Sequence, residues 1–93
     1  MAVEVQDAPE RSRYEARVDG AVVGFAVYQP AEGALVFTHT EIDDAYEGQG
    51  VGSALARGAL DDVRSRGLAV VAQCPFVAGW IDRHPDYEEL VQR

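Results

Sequence analysis

Apolar and polar residues alternate one by one in the first half of the chain, which is the spacing of a β-strand with one buried face. The alternation begins at residues 14–18, and Asp19-Gly20 then predicts a hairpin turn into a valine-rich strand at 21–28. Residues 1–12 are polar, and we expect them to be irregular.

A second turn is predicted at 30–33, where the sequence reads PAEG. It leads into a third strand at 35–40, and Ile42 continues the alternation of that strand. Three strands joined by short turns are expected to form an antiparallel meander.

The spacing of apolar residues changes to that of a helix after the glycine-rich stretch EGQGVGSAL. Val51, Leu55, Ala59 and Val63 recur every four residues, and charged residues occupy the other positions between them. Gly67 stands where a helix C-terminal cap belongs. We therefore predict a helix of about four turns.

The remaining chain predicts a buried strand at 68–73 and a helix at 76–84. Residues 86–91 are expected to add a short turn that packs through Tyr87 and Leu90. The predicted order is β-β-β-α-β-α, which indicates an α+β fold with a mixed, mostly antiparallel sheet.

Composition indicates a single domain over residues 1–93, with a core at about 13–91. No apolar stretch approaches the ~20 residues of a membrane span, and we expect neither a signal peptide nor a membrane partner. The single cysteine excludes an internal disulfide and favours a reducing, cytoplasmic location.

The formal charge of −8 argues against nucleic acid as a partner, because such binding depends on Lys and Arg neutralising phosphates. All eight basic residues are arginines, so no side chain in the protein is a primary amine.

Three glycines at alternate positions, 48, 50 and 52, precede the main predicted helix. Exposed amides and the helix dipole make a helix N-terminus a site for anions, and glycines let a phosphate approach the backbone. A P-loop is excluded because the chain has no lysine, and GxGxxG fails because Ser53 stands where its last glycine belongs. A merely structural role in the helix entry remains open.

The stretch EGQGVG at 47–52 resembles the [Gln/Arg]-x-x-Gly-x-[Gly/Ala] loop of the GCN5-related N-acetyltransferases, with Glu47 in place of Gln or Arg. The C-terminal run CPFVAGWIDRHPDYEELV, residues 74–91, resembles the small YjdJ-type subgroup of that superfamily. The resemblance covers about residues 14–91 and implies a GNAT-like fold that binds acetyl-CoA.

The resemblance implies a set of site residues. Cys74 and His39 would flank the acetyl group, between the diverging ends of the third and fourth predicted strands. The implied cofactor-binding residues are Thr40, Ile42, Gly48, Gln49, Gly50, Val51, Gly52 and Ser53.

The two implied catalytic residues also have a physical argument each. Cys74 ends an apolar strand and precedes Pro75, so its thiolate would be stabilised at a helix N-terminus, although a free cysteine is more often a small buried apolar residue. His39 could accept a proton from Cys74 or from an incoming amine if its side of the strand faces the ligand. The alternation alone does not decide which side that is.

Other candidate residues have simpler interpretations. His84, before a proline at a helix end, is expected to bond the last carbonyls, and Trp80 is expected in the core. The spacing of histidines and cysteine supports no metal site. The acidic residues Asp43, Asp44 and Glu47 are expected to form a solvated loop, and steering of a cationic acceptor is the alternative.

The resemblance thus implies an acetyl-CoA-dependent N-acetyltransferase that modifies an unidentified primary amine, which could belong to a macromolecule. Transfer through an acetyl-cysteine at Cys74 is one route, and direct transfer is the other. The alternative is a non-catalytic acyl-CoA-binding module that acts through a protein partner, since 93 residues leave little chain for an acceptor pocket.

Overall fold

The computed structural model describes residues 2–92, and these form a five-stranded sheet with two α-helices. The strands lie in sequence order; the first four pair antiparallel with their neighbours, and the fourth and fifth pair parallel. The predicted α+β class and mixed, mostly antiparallel sheet are confirmed. The elements are β1 (Glu4–Ala8), β2 (Arg13–Val18), β3 (Ala21–Ala31), β4 (Ala34–Ile42), α1 (Val51–Ser65), β5 (Ala69–Ala72) and α2 (Pro75–Asp82), with 3-10 helices at Pro9–Arg11, Asp44–Tyr46 and Pro85–Leu90.

The expectation that residues 1–12 are irregular is wrong, because β1 lies there and pairs along its length with β2. The alternation of apolar and polar residues is weak in this strand because a charged residue, Asp7, occupies one of the inward-facing positions. Its carboxylate accepts hydrogen bonds from the Tyr28 hydroxyl (2.6 Å) and from Arg66 (3.2 Å). A polar group can take an inward position when it is hydrogen-bonded there.

The two predicted hairpins are present, and the second is tighter than expected. Asp19-Gly20 has positive φ at both positions (51° and 84°), as a two-residue hairpin turn requires. The second turn consists of Glu32-Gly33, because β3 continues through Pro30, which pairs with Leu35. Beyond Tyr28, β3 pairs with β4 alone, so Pro30 lies where the strand has one neighbour.

Both helices cover the same face of the sheet. One small apolar cavity is lined by Phe37 and Thr40 of β4 together with Leu55 of α1 and Val77 of α2. Gly67, with φ of +70°, follows α1 as predicted, and the buried stripe of α1 contains the four residues whose spacing predicted it. Its buried residues are Val51, Leu55, Ala56, Ala59, Leu60 and Val63.

The other face of the sheet carries a buried carboxylate in place of a second helix layer. Glu15 of β2 is 1% exposed and receives hydrogen bonds from Arg11 (3.1 Å), Arg13 (2.9 Å) and Arg17 (2.8 Å). Burial alone raises the pKa of the Glu15 carboxyl, and the three guanidinium groups outweigh it, so this pKa lies below its usual value.

The C-terminal segment closes the edge of β5. Tyr87 and Leu90 are buried in the 3-10 helix at Pro85–Leu90, as predicted. Val91 forms a parallel bridge to Val70, and the Gln92 amide donates to the Val70 carbonyl (2.8 Å). Among the described residues, neither helix is long and apolar enough to cross a membrane.

Candidate functional site

β4 and β5 separate halfway along β4. They pair in parallel from Ala34 to Phe37, and the Phe37 carbonyl then accepts from both the Gln73 amide (3.0 Å) and the Cys74 amide (2.9 Å). After Cys74 the chain turns into α2, whereas β4 continues to Ile42. The second half of β4 therefore has no strand beside it on that edge.

A β-bulge in β4 decides which side chains face this gap. The register with β3 shifts so that His39 is opposite Val27 while Phe37 is opposite Tyr28, which leaves Thr38 as the extra residue. Thr40 and Ile42 consequently share the helix-covered face with Phe37. In a regular strand His39 would share the face of Phe37, and the bulge puts it on the opposite face.

The backbone of β4 offers hydrogen-bonding groups to the gap. The Asp43 amide donates to the Val23 carbonyl (2.8 Å), so the backbone groups of alternate residues on this stretch point toward β3. Those of Thr40 and Ile42 then point the other way, toward the gap that β5 has left. Both residues were implied as cofactor-binding by sequence resemblance.

The glycine-rich stretch forms the turn that starts α1. Gly48 and Gly50 have φ values of +78° and +83°, a conformation that favours glycine. The first hydrogen bond of α1 runs from the Ala54 amide to the Gly50 carbonyl (3.0 Å), and Gly50 supplies no side-chain cap. The amides of Val51, Gly52 and Ser53 precede this bond and remain as donors at the positive end of the helix dipole.

The absence of a side chain at Gly52 leaves room for Phe76 of α2. A Cβ on Gly52 would lie 2.8 Å from Cζ of Phe76, which is too close for two carbons. Phe76, itself exposed, forms a wall beside the turn. The sequence did not identify Phe76 as a site residue, because only the packing of α2 against α1 brings it to the glycines.

These elements enclose an open groove of about 480 Å³, termed the loop groove. It runs from the turn before α1 to the gap beside β4. Among the described residues that line it there is neither Lys nor Arg, and the exposed Glu47 is the one charged residue. The lining residues are Thr40, Ile42, Tyr46, Glu47, Gly48, Gly50, Val51, Gly52, Ser53 and Phe76.

The side chains of Gln49 and Ser53, both implied as cofactor-binding, have partners within the protein. The Gln49 side-chain amide donates to the Ala45 carbonyl (3.1 Å), so this part of Gln49 fastens the turn. The Ser53 hydroxyl oxygen accepts a hydrogen bond from the indole nitrogen of Trp80 (2.9 Å). Trp80 is buried as predicted, and the bond to Ser53 is an additional role that its apolar spacing did not reveal.

Cys74 lies at the inner end of the gap. It is the N-cap residue of α2, with Pro75 at the first helical position as predicted, and its side chain is buried. Its sulfur lies 3.3 Å from the hydroxyl oxygen of Thr40. Thr40 is thus the polar side chain that the structure brings to the thiol.

His39 is not brought to Cys74. Its Nε2 lies 2.8 Å from a carboxylate oxygen of Glu41, and both side chains are exposed on the face without helices. Because Thr40, the next residue, contacts the thiol, His39 points to the opposite side of β4. Proton transfer from Cys74 to His39, one of the two alternatives that the sequence offered, therefore has no direct contact behind it, and the catalytic role of each residue stays a prediction.

The remaining candidates have structural partners. His84 Nδ1 lies 2.7 Å from the Trp80 carbonyl, and its ring stacks on the indole at 3.8 Å, which confirms a role at the end of α2. The Asp43 carboxylate caps the 3-10 helix by accepting from the Ala45 amide (3.0 Å). Within residues 2–92 no group of three or more His, Cys, Asp or Glu is arranged to hold a metal ion.

Comparisons with known proteins identify related sequences. Residues 13–90 match the family described as GCN5-related N-acetyl-transferase. Protein NATD1 of Mus musculus is 27% identical over 94 residues, which cover 97% of this chain and 86% of the mouse protein. Protein NATD1 of Homo sapiens is 36% identical over 56 residues, which cover 58% of this chain and 50% of the human protein.

Solved structures share the fold at low sequence identity. A GCN5-like protein from Staphylococcus aureus superposes with a TM-score of 0.72 at 19% identity, covering 96% of this chain and 87% of the other. The ribosomal-protein-S18-alanine N-acetyltransferase from Escherichia coli gives 0.66 at 19% identity, covering 77% of this chain and 50% of the enzyme. On the match over residues 13–90, the chain belongs to the GCN5-related N-acetyltransferase family.

Proposed function

We propose that this protein is an acetyl-CoA-dependent N-acetyltransferase that moves the acetyl group to a primary amine. The observation that carries the proposal is the loop groove, which joins the free amides at the start of α1 to the gap where β4 and β5 separate. Family membership implies binding of an acyl-CoA. A groove with anion donors at one end and a strand gap at the other suits a ligand with that chemistry.

The residues present fit the phosphate end of acetyl-CoA. The amides of Val51, Gly52 and Ser53 are donors at the positive end of a 15-residue helix, and a Cβ at Gly48 or Gly50 would enter open space. The unpaired backbone groups of Thr40 and Ile42 suit the amides of the pantetheine arm. The carboxylate of Glu47 in the same groove opposes phosphate binding, because like charges repel.

Direct transfer needs a base beside the amine. In this route the amine nitrogen attacks the thioester carbonyl, the C–S bond breaks, CoA leaves as the thiol, and the amine loses a proton. We propose that His39, whose Nε2 lies 2.8 Å from a carboxylate oxygen of Glu41, accepts that proton from an amine that reaches the gap from this side.

Transfer through Cys74 divides the reaction into two steps. The thiolate of Cys74 attacks the thioester carbonyl and CoA leaves as a thiolate, which takes up a proton; the amine then attacks the acetyl-cysteine and gives up a proton to solvent, and the Cys74 thiolate leaves again. The position of Cys74 at the inner end of the gap supports this route. Cys74 is only 2% exposed, so in this route the acetyl group would have to enter the apolar space beside Thr40.

A non-catalytic acyl-CoA-binding module is the second candidate. One observation favours it: His39 lies on the opposite side of β4 from Cys74. Such a module would bind CoA and transfer nothing.

Intact mass after mixing with acetyl-CoA tests these routes together. The chain has no lysine, so a single hydroxylamine-labile acetyl adduct that is absent from Cys74→Ala would establish the covalent route. Binding without an adduct, but with acetylation of a panel of primary amines, would establish direct transfer. Binding without either outcome would favour the second candidate, and absence of CoA binding would overturn the proposal.

A further inference from the structure

Trp80 connects α2 to the first turn of α1 through a single hydrogen bond. Its indole N–H donates to the Ser53 hydroxyl oxygen over 2.9 Å. Trp80 is 1% exposed, whereas Ser53 is exposed and lines the loop groove. The bond therefore joins a rigid core side chain to a group at the groove surface.

The bond restricts what the serine hydroxyl can do. A hydroxyl group has one proton to donate and accepts through its lone pairs, and an indole nitrogen can only donate. With the Trp80 N–H directed at the oxygen, the hydroxyl proton must point away from the indole. Ser53 is the third residue of α1, and it lines the loop groove together with Val51 and Gly52.

The charge of the groove makes such a neutral donor important. Glu47 is the one charged residue among the described lining residues, so no side-chain cation is available to hold a phosphate there. Backbone amides and oriented hydroxyls must supply the attraction. A hydrogen bond to a charged group is stronger than one between neutral groups.

Trp80 is itself held on two sides. Its ring stacks on His84 at 3.8 Å and meets the Tyr87 ring edge-on at 4.9 Å. These ring contacts hold the indole in one orientation, even if the Ser53 side chain rotates. The direction of the N–H is therefore fixed by the core, and the hydroxyl of Ser53 adapts to it.

We propose that Trp80 is a positioning residue for the phosphate end of the loop groove: its indole N–H orients the Ser53 hydroxyl so that the hydroxyl proton is donated to a phosphate oxygen. This inference rests on the proposed function, because it assumes that the loop groove binds the phosphates of CoA.

The indole N–H resonance gives a direct test, because Trp80 is the only tryptophan in the sequence. In a ¹H–¹⁵N spectrum of the ¹⁵N-labelled full chain, we expect CoA to shift the amide signals of Val51, Gly52 and Ser53 together with the indole signal. Donation of the hydroxyl proton to an anion makes its oxygen a better acceptor, which strengthens the bond from Trp80. Inorganic pyrophosphate is the second probe, because it has no aromatic ring to disturb nearby signals.

Variants of Ser53 separate positioning from packing. In Ser53→Ala, CoA and pyrophosphate should still shift the loop amides but should no longer shift the indole signal, and CoA affinity should fall about tenfold. Ser53→Thr keeps a hydroxyl and should retain both effects. Ser65→Ala, at the other end of α1, removes a hydroxyl that bonds the Asp62 carbonyl and should change neither.

The spectra distinguish failure of this inference from failure of the proposed function. If the loop amides shift and the indole signal of the unmodified protein does not, Trp80 only packs, and the inference is wrong. If neither set of signals responds to CoA, the groove does not bind the ligand, and the proposed function fails with it. Unchanged CoA affinity in Ser53→Ala would also overturn the inference.

Discussion

Glu47 stands in the loop groove at the position where the family's phosphate loop has Gln or Arg. Its side chain is exposed, so a bound phosphate would meet a carboxylate that is still partly screened by water. The attraction must come from the neutral donors of Val51, Gly52 and Ser53, which act over short distances. Under the proposed function, Glu47 would thus weaken phosphate binding that the backbone amides around it provide.

Replacing Glu47 with Arg should strengthen CoA binding. The change removes a repulsive charge from the groove and adds a guanidinium group, for which we expect a gain of about tenfold at low salt that shrinks as salt is added. Calorimetric titration at two salt concentrations measures it. Glu32→Arg makes the same change of charge in the β3–β4 turn, outside the groove, and should give much less.

If Glu32→Arg improved CoA binding as much as Glu47→Arg, only the net charge of the protein would matter. The carboxylate of Glu47 would then not face the phosphates.

Glu15 illustrates a different effect of a single residue, a carboxylate covered by three arginines. Its pKa is below its usual value because hydrogen bonds from Arg13, Arg17 and Arg11 outweigh the opposing effect of burial. A carboxyl whose pKa is lower in the folded state binds its proton more tightly in the unfolded chain. It therefore stabilises the fold above the unfolded-state pKa, and this contribution is lost as pH falls.

Glu15→Gln should lower the free energy of unfolding at neutral pH by about 1–3 kcal/mol, because three arginines lose their shared partner. The difference from the unmodified protein should shrink as pH falls below about 4.5, where the unfolded-state carboxyl takes up its proton. Urea unfolding at a series of pH values measures this. Glu10→Gln, an exposed carboxyl nearby, is the control, and an equal pH profile for both variants would contradict the argument.

At the scale of elements, α1 has a glycine with positive φ at each end. Gly50 begins the helix with φ of +83° and Gly67 follows it with +70°, and a Cβ would meet nothing within 4 Å at either position. The two positions differ in what lies outside: the loop groove borders Gly50 and does not include Gly67. Substitutions at these two glycines can therefore distinguish the effect of backbone strain from the effect of contact with a ligand.

Gly50→Ala and Gly67→Ala should each lower the stability of the fold by about 1–2 kcal/mol, because an alanine is strained at positive φ. Only Gly50→Ala should also weaken CoA binding, by about tenfold or more, since its methyl group would enter the loop groove. Thermal unfolding and titration with CoA measure the two effects. An equal loss of CoA affinity in Gly67→Ala would mean that general destabilisation, and not the groove, is responsible.

The elements also show which features the sequence could predict. The helix over Val51–Ser65 followed from a four-residue repeat and a terminal glycine, both local signals. No local pattern in the sequence predicted the bulge at Thr38, because the bulge arises from the pairing of β4 with β3. It turned Thr40 toward the thiol of Cys74 and His39 away from it.

At the scale of the whole molecule, the first strand and the main helix are packed through a glycine. A Cβ on Gly58, in the middle of α1, would lie 2.7–2.9 Å from three side-chain carbons of Val5 in β1. The strand that the sequence did not predict is therefore in close contact with the helix that it did. This contact ties the N-terminal edge of the sheet to the core.

Gly58→Ala should destabilise the protein by about 1–2 kcal/mol, even though alanine normally favours a helix over glycine. Combining it with Val5→Gly should recover part of the loss, because all three carbons that would clash, Cβ included, are then absent. Gly79→Ala in α2 is the control, since its Cβ would make an ordinary contact of 3.5 Å and should stabilise the helix. Chemical denaturation of the single and double variants measures the coupling, and strictly additive effects would show that Val5 and Gly58 do not meet.

The sequence by itself determined the fold class, the main helix, the glycine turn before it and the absence of lysine, because these depend on local spacing and composition. The tertiary structure decided the rest: β1, whose inward Asp7 needed Tyr28 and Arg66; the side of β4 that meets Cys74; and the bond from Trp80 to Ser53. Each of these depends on groups far apart in the chain, and only the packing of strands and helices brings such groups within hydrogen-bonding distance.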